Sequence, residues 1–97
     1  EVRAVAGADA LLSTALGRET GYVAVHRYWR EDPREHFAEV ERILVDHDGR
    51  PHWGKLHTRT AADLEPALPT LADFRAARDR LDPDRTFDNP YLRRTIG

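Results

Sequence analysis

Hydrophobic and polar side chains alternate at the start of the chain, which is the pattern of a half-buried β-strand. Residues 1–6 alternate charged and apolar side chains, and residues 20–29 are rich in β-branched and aromatic ones. Both segments are therefore predicted to be strands. Alternation along the second strand would place four side chains on one face: Tyr22, Ala24, His26 and Tyr28. Residues 8–16 lie between the two strands and have room only for a loop or a single turn.

Apolar positions recur at helical spacing in two later segments. The first predicted helix starts after Asp32 and Pro33, which suit a cap and a first helical position, and Glu35 would complete a capping box. This helix is expected to end near residue 47. The second predicted helix starts at Thr70, and its expected inner face consists of Leu71, Phe74, Ala77, Arg78 and Leu81.

The remaining segments are shorter or irregular. Apolar residues in 49–59 follow neither helical nor strand spacing, so this segment is expected to form an ordered loop or a short strand. Thr60 is expected to cap a single helical turn after it. Residues 86–97 are predicted to be an extended tail with a bend at Asn89-Pro90, anchored by Phe87, Tyr91, Leu92 and Ile96. This order of elements predicts an α+β fold. Because two strands make only a marginal sheet, we expect a fragment of a larger antiparallel sheet flanked by helices.

Composition excludes several classes of function. The chain has 97 residues, of which 40% are hydrophobic, and its formal net charge is −2. No excess of basic residues is available for nucleic acid, and no apolar run approaches the roughly 18 residues of a membrane span. Cysteine is absent, and the five histidines have no metal-binding spacing, so no metal site is predicted. The protein is expected to be cytoplasmic.

Two compositional features are unusual. The chain contains no methionine and opens directly in strand-like alternation, which we interpret as the C-terminal piece of a longer polypeptide. Fourteen of its fifteen basic residues are arginine, and Lys55 is the only lysine. This points to a position that needs a compact ammonium group and not a planar guanidinium, with chance as the alternative.

Four segments, taken in order, resemble the C-terminal end of one enzyme family. They are Glu1-Val2-Arg3, the strand histidine His26, Pro51-His52-Trp53-Gly54-Lys55 and Phe87-Asp88-Asn89-Pro90-Tyr91-Leu92. The chain resembles the sugar-1,4-lactone and alditol oxidases, such as D-arabinono-1,4-lactone oxidase, which are FAD enzymes of the vanillyl-alcohol-oxidase type. The His-Trp-Gly-Lys tetrapeptide is the most specific part of this resemblance.

The resemblance implies both a place in a larger fold and a reaction. Residues 1–85 would be the C-terminal part of the substrate, or cap, domain, and residues 86–97 a tail that packs toward an FAD-binding domain of the same or a partner chain. The enzyme would oxidise the CH–OH group of a sugar alcohol or aldonolactone. Electrons would pass to oxygen, giving hydrogen peroxide.

The resemblance assigns substrate-binding roles to the two strands. Glu1 would accept hydrogen bonds from sugar hydroxyl groups, and Arg3 would bind the substrate oxygen or face the flavin, with a catalytic role. Two residues apart on a strand, both side chains point to the same side. Tyr28 stands where the family has threonine or serine, and it would narrow the substrate pocket. The alternative for Glu1 and Arg3 is a solvated ion pair.

Three further residues would serve the chemistry. His26 would be the catalytic base or the partner of the substrate oxygen, since imidazole titrates near working pH. Lys55 would contact both substrate and FAD and stabilise developing negative charge, and His52 would be a polar contact near the cofactor. The alternatives are a hydrogen-bonded sheet histidine and a solvated loop lysine.

A non-catalytic reading of the same chain also stands. An α+β interaction or dimerisation module could pair its own sheet edge and use the apolar tail as an interface. A third reading joins the two, with the chain as one piece of a split oxidase that assembles with a separate flavin subunit. Flavin absorption in the intact protein distinguishes the oxidase from the module.

Overall fold

Two strands and four helices make up the chain, and this computed structural model describes all 97 residues. The strands are β1 (Val2–Val5) and β2 (Thr20–Val23), and the helices are α1 (Arg34–Asp46), α2 (Ala61–Leu64), α3 (Leu71–Leu81) and α4 (Pro90–Thr95). The predicted α+β class is confirmed. None of these helices has both the length and the apolar character that crossing a membrane requires.

The two strands form a small antiparallel sheet in which Val2 pairs with Val23 and Val5 pairs with Thr20. The predicted second strand is too long, because regular pairing ends at Val23. Just beyond it the amide of Ala24 donates a hydrogen bond of 2.8 Å to the carbonyl of Glu1. Residues 25–29 then have no strand in this chain to pair with, so His26 and Tyr28 do not lie on the strand as predicted.

The core lies in the C-terminal half of the chain. Four fully buried side chains form it: Leu64, Leu68, Leu71 and Ile96. Four partly buried residues pack around them: Leu12, Trp53, Phe74 and Leu92. Each buried leucine contributes roughly 1.5–3 kcal/mol from burial of its apolar surface. Helix α1 has no buried residue, so this cluster holds α2, α3 and α4 more firmly than it holds α1.

Helix α1 begins and ends where the apolar spacing indicated, but its start differs in detail. Its N-cap is Pro33, which makes no side-chain cap bond, so the predicted capping box with Glu35 is wrong. The Asp32 carboxylate instead accepts hydrogen bonds from the amide and the guanidinium of Arg34. At the other end, a Cβ on Gly49 would lie 2.5 Å from the carbonyl oxygen of Leu44, so the tight turn there requires glycine.

Helices α2 and α3 follow the predictions more closely. The Thr60 hydroxyl accepts from the amide of Asp63, and the Asp63 carboxylate accepts from the amide of Thr60, which together make a capping box. Helix α3 starts after Thr70, whose hydroxyl donates to the carbonyl of Leu11 at 2.6 Å. Its predicted inner face is wrong at the end, because Leu81 is 79% exposed.

The tail is a helix where an extended segment was predicted. The Asn89 side chain accepts from the amide of Leu92 at 2.9 Å, and Pro90 occupies the first helical position of α4. Asn-Pro is therefore a helix start here and not a bend. Ile96 is buried and anchors the tail as predicted, but Phe87 is 81% exposed and does not.

Candidate active site

Strand β1 brings two of the predicted site residues together. Glu1 and Arg3 form an ion pair on the same side of the strand, as their spacing predicted. Their side chains are 50% and 73% exposed, respectively, so this pair by itself contributes less than about 1 kcal/mol to stability. An exposed carboxylate beside an exposed guanidinium can accept and donate hydrogen bonds to a polyol at the same time.

His26 and Tyr28 lie in the exposed segment between β2 and α1. Neither side chain forms a hydrogen bond or an ion pair, and no bond joins either of them to the Glu1–Arg3 pair. The Tyr28 ring packs at a tilt against Trp29, with ring centroids 6.1 Å apart, and remains 55% exposed. Both polar groups are therefore free to contact a ligand.

The Lys55 loop, residues 51–57, presents the only lysine. Trp53 anchors it: the indole N–H donates to the carbonyl of Leu12 at 2.7 Å, and the ring packs against the core. A tight turn follows, in which His52 Nδ1 accepts from the amide of Gly54 at 3.1 Å and the His52 carbonyl accepts from the amide of Lys55 at 3.0 Å. The ammonium group of Lys55 is exposed and forms no ion pair, so its charge is not neutralised within the chain.

Helix α4 closes the other side of this loop. The Tyr91 hydroxyl donates to the carbonyl of Trp53 at 2.8 Å and lies 2.9 Å from His57 Nε2. Because the single hydroxyl proton goes to the carbonyl, His57 must carry its own proton on Nε2 and donate it to Tyr91. The other ring nitrogen, Nδ1, is buried and has no hydrogen-bond partner.

The electrostatics around this pair favour uncharged side chains. Burial lowers the pKa of His57, and the positive charge of Arg94 lowers it further, while Glu41 acts in the opposite direction. Burial raises the pKa of Tyr91, partly offset by Arg94. Both groups are consequently neutral hydrogen-bonding partners near pH 7.

The predicted site residues thus lie in three places, with His26 and Tyr28 in the exposed segment between β2 and α1. Glu1 and Arg3 form one group, and His52 and Lys55 share the turn of the Lys55 loop. No hydrogen bond or ion pair joins these groups to each other or to His26. Sequence reasoning treated Tyr91 as an apolar anchor and missed its hydroxyl contacts.

The available side chains fit the redox ring of FAD better than its phosphates. Reduction places negative charge on the flavin ring, and an ammonium group or an imidazole free of internal partners can stabilise that charge. Lys55 and His26 meet this requirement. A glycine-rich loop between a strand and a helix, which would hold the pyrophosphate, does not occur in the chain.

Known proteins match the chain along almost its full length. Residues 1–95 match the family model for D-arabinono-1,4-lactone oxidase. An L-gulono-1,4-lactone dehydrogenase of Mycobacterium tuberculosis is 53% identical over 97 residues, all of this chain, and an alditol oxidase of a Streptomyces species is 44% identical over 96 residues, 96% of it. An L-gulonolactone oxidase of Bos taurus is 37% identical over 100 residues, covering 99% of it. The chain spans 23% of the length of each relative.

Proposed function

Since the chain belongs to the D-arabinono-1,4-lactone oxidase family, we propose that the whole protein oxidises the CH–OH group of a sugar lactone or an alditol, with FAD as cofactor. The observation that carries this proposal is the Lys55 loop. It holds the only lysine of the chain, anchored through Trp53 and with an ammonium group that has no internal partner. A charge kept free in this way is available to a ligand.

Within that enzyme, residues 1–85 belong to the substrate domain, and residues 86–97 pack toward the FAD-binding domain. The exposed apolar groove between α3 and α4 offers a surface for that packing. Leu81 and Phe87 line the groove, and they are 79% and 81% exposed in the chain alone. Neighbouring exposed apolar side chains that form one patch mark a surface for interaction with other polypeptide.

Substrate binding is the role we assign to the strand pair and its neighbour. The Glu1 carboxylate accepts hydrogen bonds from sugar hydroxyl groups, and the Arg3 guanidinium donates to a substrate oxygen. Tyr28 limits the size of the pocket and offers a phenolic hydroxyl. A polyol held at several oxygens has one carbon fixed in place, which is how orientation lowers the barrier to reaction.

Proton transfer and charge stabilisation fall to His26 and Lys55. His26 takes the proton from the reacting hydroxyl group, or holds the oxygen as the proton leaves. Lys55 places its positive charge where negative charge develops, and His52 contacts the cofactor beside it. FAD held beside Lys55 and His52 would supply the acceptor for the hydride that leaves the carbon bearing this hydroxyl group.

Oxygen is the electron acceptor we propose, with hydrogen peroxide as the product. The names of the relatives differ on this point, since the Mycobacterium tuberculosis protein is called a dehydrogenase and the Streptomyces protein an oxidase. Peroxide formation in air, compared with reduction of an artificial dye without air, distinguishes the two outcomes. If the dye is reduced but no peroxide forms, oxygen is not the electron acceptor, whereas the proposed oxidation of the substrate still holds.

Substitution of Lys55 tests the function directly. In the intact flavin-loaded protein, Lys55→Met should keep the flavin absorption spectrum but slow reduction by substrate about 10²- to 10³-fold, the usual cost of removing one group that stabilises transition-state charge. Anaerobic stopped-flow absorbance measures this rate with a panel of lactones and alditols. The matched control is Lys55→Arg, which retains the charge and should lose less.

Two outcomes of that experiment would contradict the proposal. An intact protein that binds no flavin, or whose flavin no lactone or alditol reduces, removes the assigned reaction. A flavin reduced equally fast in Lys55→Met and in the unmodified protein keeps the reaction but removes Lys55 from its role.

A further inference from the structure

We infer that Tyr91 is a positioning residue that holds the Lys55 loop in place through a single hydroxyl group. We call the Tyr91 hydroxyl, with its bonds to the Trp53 carbonyl and to His57 Nε2, the Tyr91 clasp. The clasp joins residues two positions before and two positions after Lys55. The catalytic consequence of this inference rests on the proposed function, whereas its structural consequence does not.

The clasp is the link between α4 and the two flanks of Lys55. Inside the turn, the amides of Gly54 and Lys55 both donate to His52, within the loop itself. Those bonds shape the turn but do not fix where it sits on the molecule. Just outside the loop, Arg50 donates to the carbonyl of Ala67, and the Thr58 amide donates to the Glu41 carboxylate. Between these anchors, the position of the turn depends on the Trp53 indole bond to Leu12 and on the Tyr91 clasp.

The hydroxyl group of Tyr91 suits this task because it donates once and accepts once. Its proton points to the Trp53 carbonyl, and its lone pair receives the Nε2 proton of His57. The His57 and Tyr91 rings also meet edge to face, with centroids 5.7 Å apart. Loss of the hydroxyl would leave a carbonyl and an imidazole N–H without partners, and both flanks of Lys55 would loosen together.

Helix α4 provides a firm base for the clasp. The next turn contains Thr95, which is fully buried and donates its hydroxyl to the carbonyl of Tyr91 at 2.8 Å. Arg94 lies over the Tyr91 ring at 5.3 Å and donates to the carbonyl of Arg59 at 2.6 Å. Ile96, in the core, completes the attachment. A displacement of Lys55 would therefore require the clasp to break, not the helix to move.

A substitution in the intact, full-length protein tests this inference with two readouts. Tyr91→Phe should speed hydrogen exchange of the Gly54 and Lys55 amides, which donate the hydrogen bonds of the turn, at least about tenfold while leaving α3 unchanged, because only the loop loses its attachment to α4. The flavin should still load, and its reduction by substrate should slow about tenfold to a hundredfold with little change in substrate affinity, since misplaced catalytic groups reduce rate more than binding.

Thr95→Val is the matched control. It removes another buried hydroxyl bond from the same helix but leaves the Tyr91 hydroxyl in place. It should lower the melting temperature without changing exchange in the Lys55 loop. Equal effects of both variants on loop exchange would overturn the inference, because the loop would then depend on helix stability alone.

A second pair of variants keeps the test decisive if Tyr91→Phe does not fold. His57→Gln can still donate an amide proton to Tyr91, whereas His57→Leu cannot. Slow loop exchange in the glutamine variant with fast exchange in the leucine variant supports the clasp, and identical exchange refutes it. If exchange rises but the rate of flavin reduction stays unchanged, the loop does not position Lys55 for catalysis. If no lactone or alditol reduces the unmodified protein, the proposed function fails. Hydrogen exchange in the variants then still tests the Tyr91 clasp, because it does not depend on activity.

Discussion

The histidines show how strongly the charge and hydrogen bonding of one side chain depend on its neighbours. The sequence contains five of them without distinguishing spacing. In the structure His26 and His52 are exposed, whereas His57 is partly buried against α4 and bonded to Tyr91. Burial and the nearby Arg94 make the charged form of His57 unfavourable. In the sequence His57 is one of five equivalent histidines. In the fold it is an uncharged side chain that donates one hydrogen bond to Tyr91.

This environment predicts a pH dependence of stability. The pKa of His57 is lowered from its ordinary value of 6.5 in the folded protein, so the unfolded chain takes up a proton first as the pH falls. Stability should be fully present above about pH 6.5 and decrease as the pH falls toward the lowered pKa. Melting temperatures of the intact protein from about pH 7.5 to about pH 5 measure this loss.

The control for that titration is His57→Gln, which keeps a donor for Tyr91 but cannot take up a proton. Its melting temperature should fall less over the same pH interval. An identical fall in both proteins would assign the acid sensitivity to other groups and contradict the predicted role of His57.

At the scale of elements, similar sequence signals led to different helix starts. Asp32-Pro33 and Asn89-Pro90 both place a short polar side chain before proline. Asn89 caps α4, but Asp32 is held by Arg34 and leaves Pro33 as the N-cap of α1. The Asp32 carboxylate accepts from both the amide and the guanidinium of Arg34, a local partner that helical spacing alone did not indicate.

The capping box of α2 gives a prediction at this scale. Thr60→Ala removes the hydroxyl that the Asp63 amide uses, and it should destabilise the fold by about 1 kcal/mol, because an N-cap bond is lost next to the core residue Leu64. Thr60→Ser retains the hydroxyl and should lose much less. Chemical denaturation of the intact protein measures both variants, and equal losses would show that the methyl group, not the cap, matters.

The whole molecule buries little for its length. Only 7 of 97 residues are buried, and large apolar side chains remain open on several surfaces, among them Trp29, Leu56, Leu81 and Phe87. A chain with so few covered residues has a small core to stabilise it. Its match to 23% of the length of longer relatives is in keeping with this, since further polypeptide could cover these surfaces.

The exposed groove predicts how the 97-residue chain behaves when produced alone. It should bind an apolar fluorescent dye and self-associate, and Leu81→Glu with Phe87→Glu should reduce both effects several-fold because the groove loses its apolar lining. Dye fluorescence and light scattering measure the change. The exposed substitutions Ala38→Glu and Ala72→Glu together add the same two charges outside the groove and serve as the control. If the control reduces dye binding and self-association equally, net charge and not the groove governs association.

The α+β class and the two long helices were determined by the sequence itself, because periodicity and caps are local properties. The candidate site residues came from the resemblance to an enzyme family, and their roles stay predictions. The early end of β2 and the clasp of Tyr91 on the Lys55 loop were decided only by the tertiary structure. A strand extends only as far as a partner strand accompanies it, and a hydroxyl group acquires a role only from the groups that folding brings next to it. In the hydrogen bonds around Lys55, the two bonded residues are 34 to 41 positions apart in the sequence. Local sequence patterns carry no information at that separation.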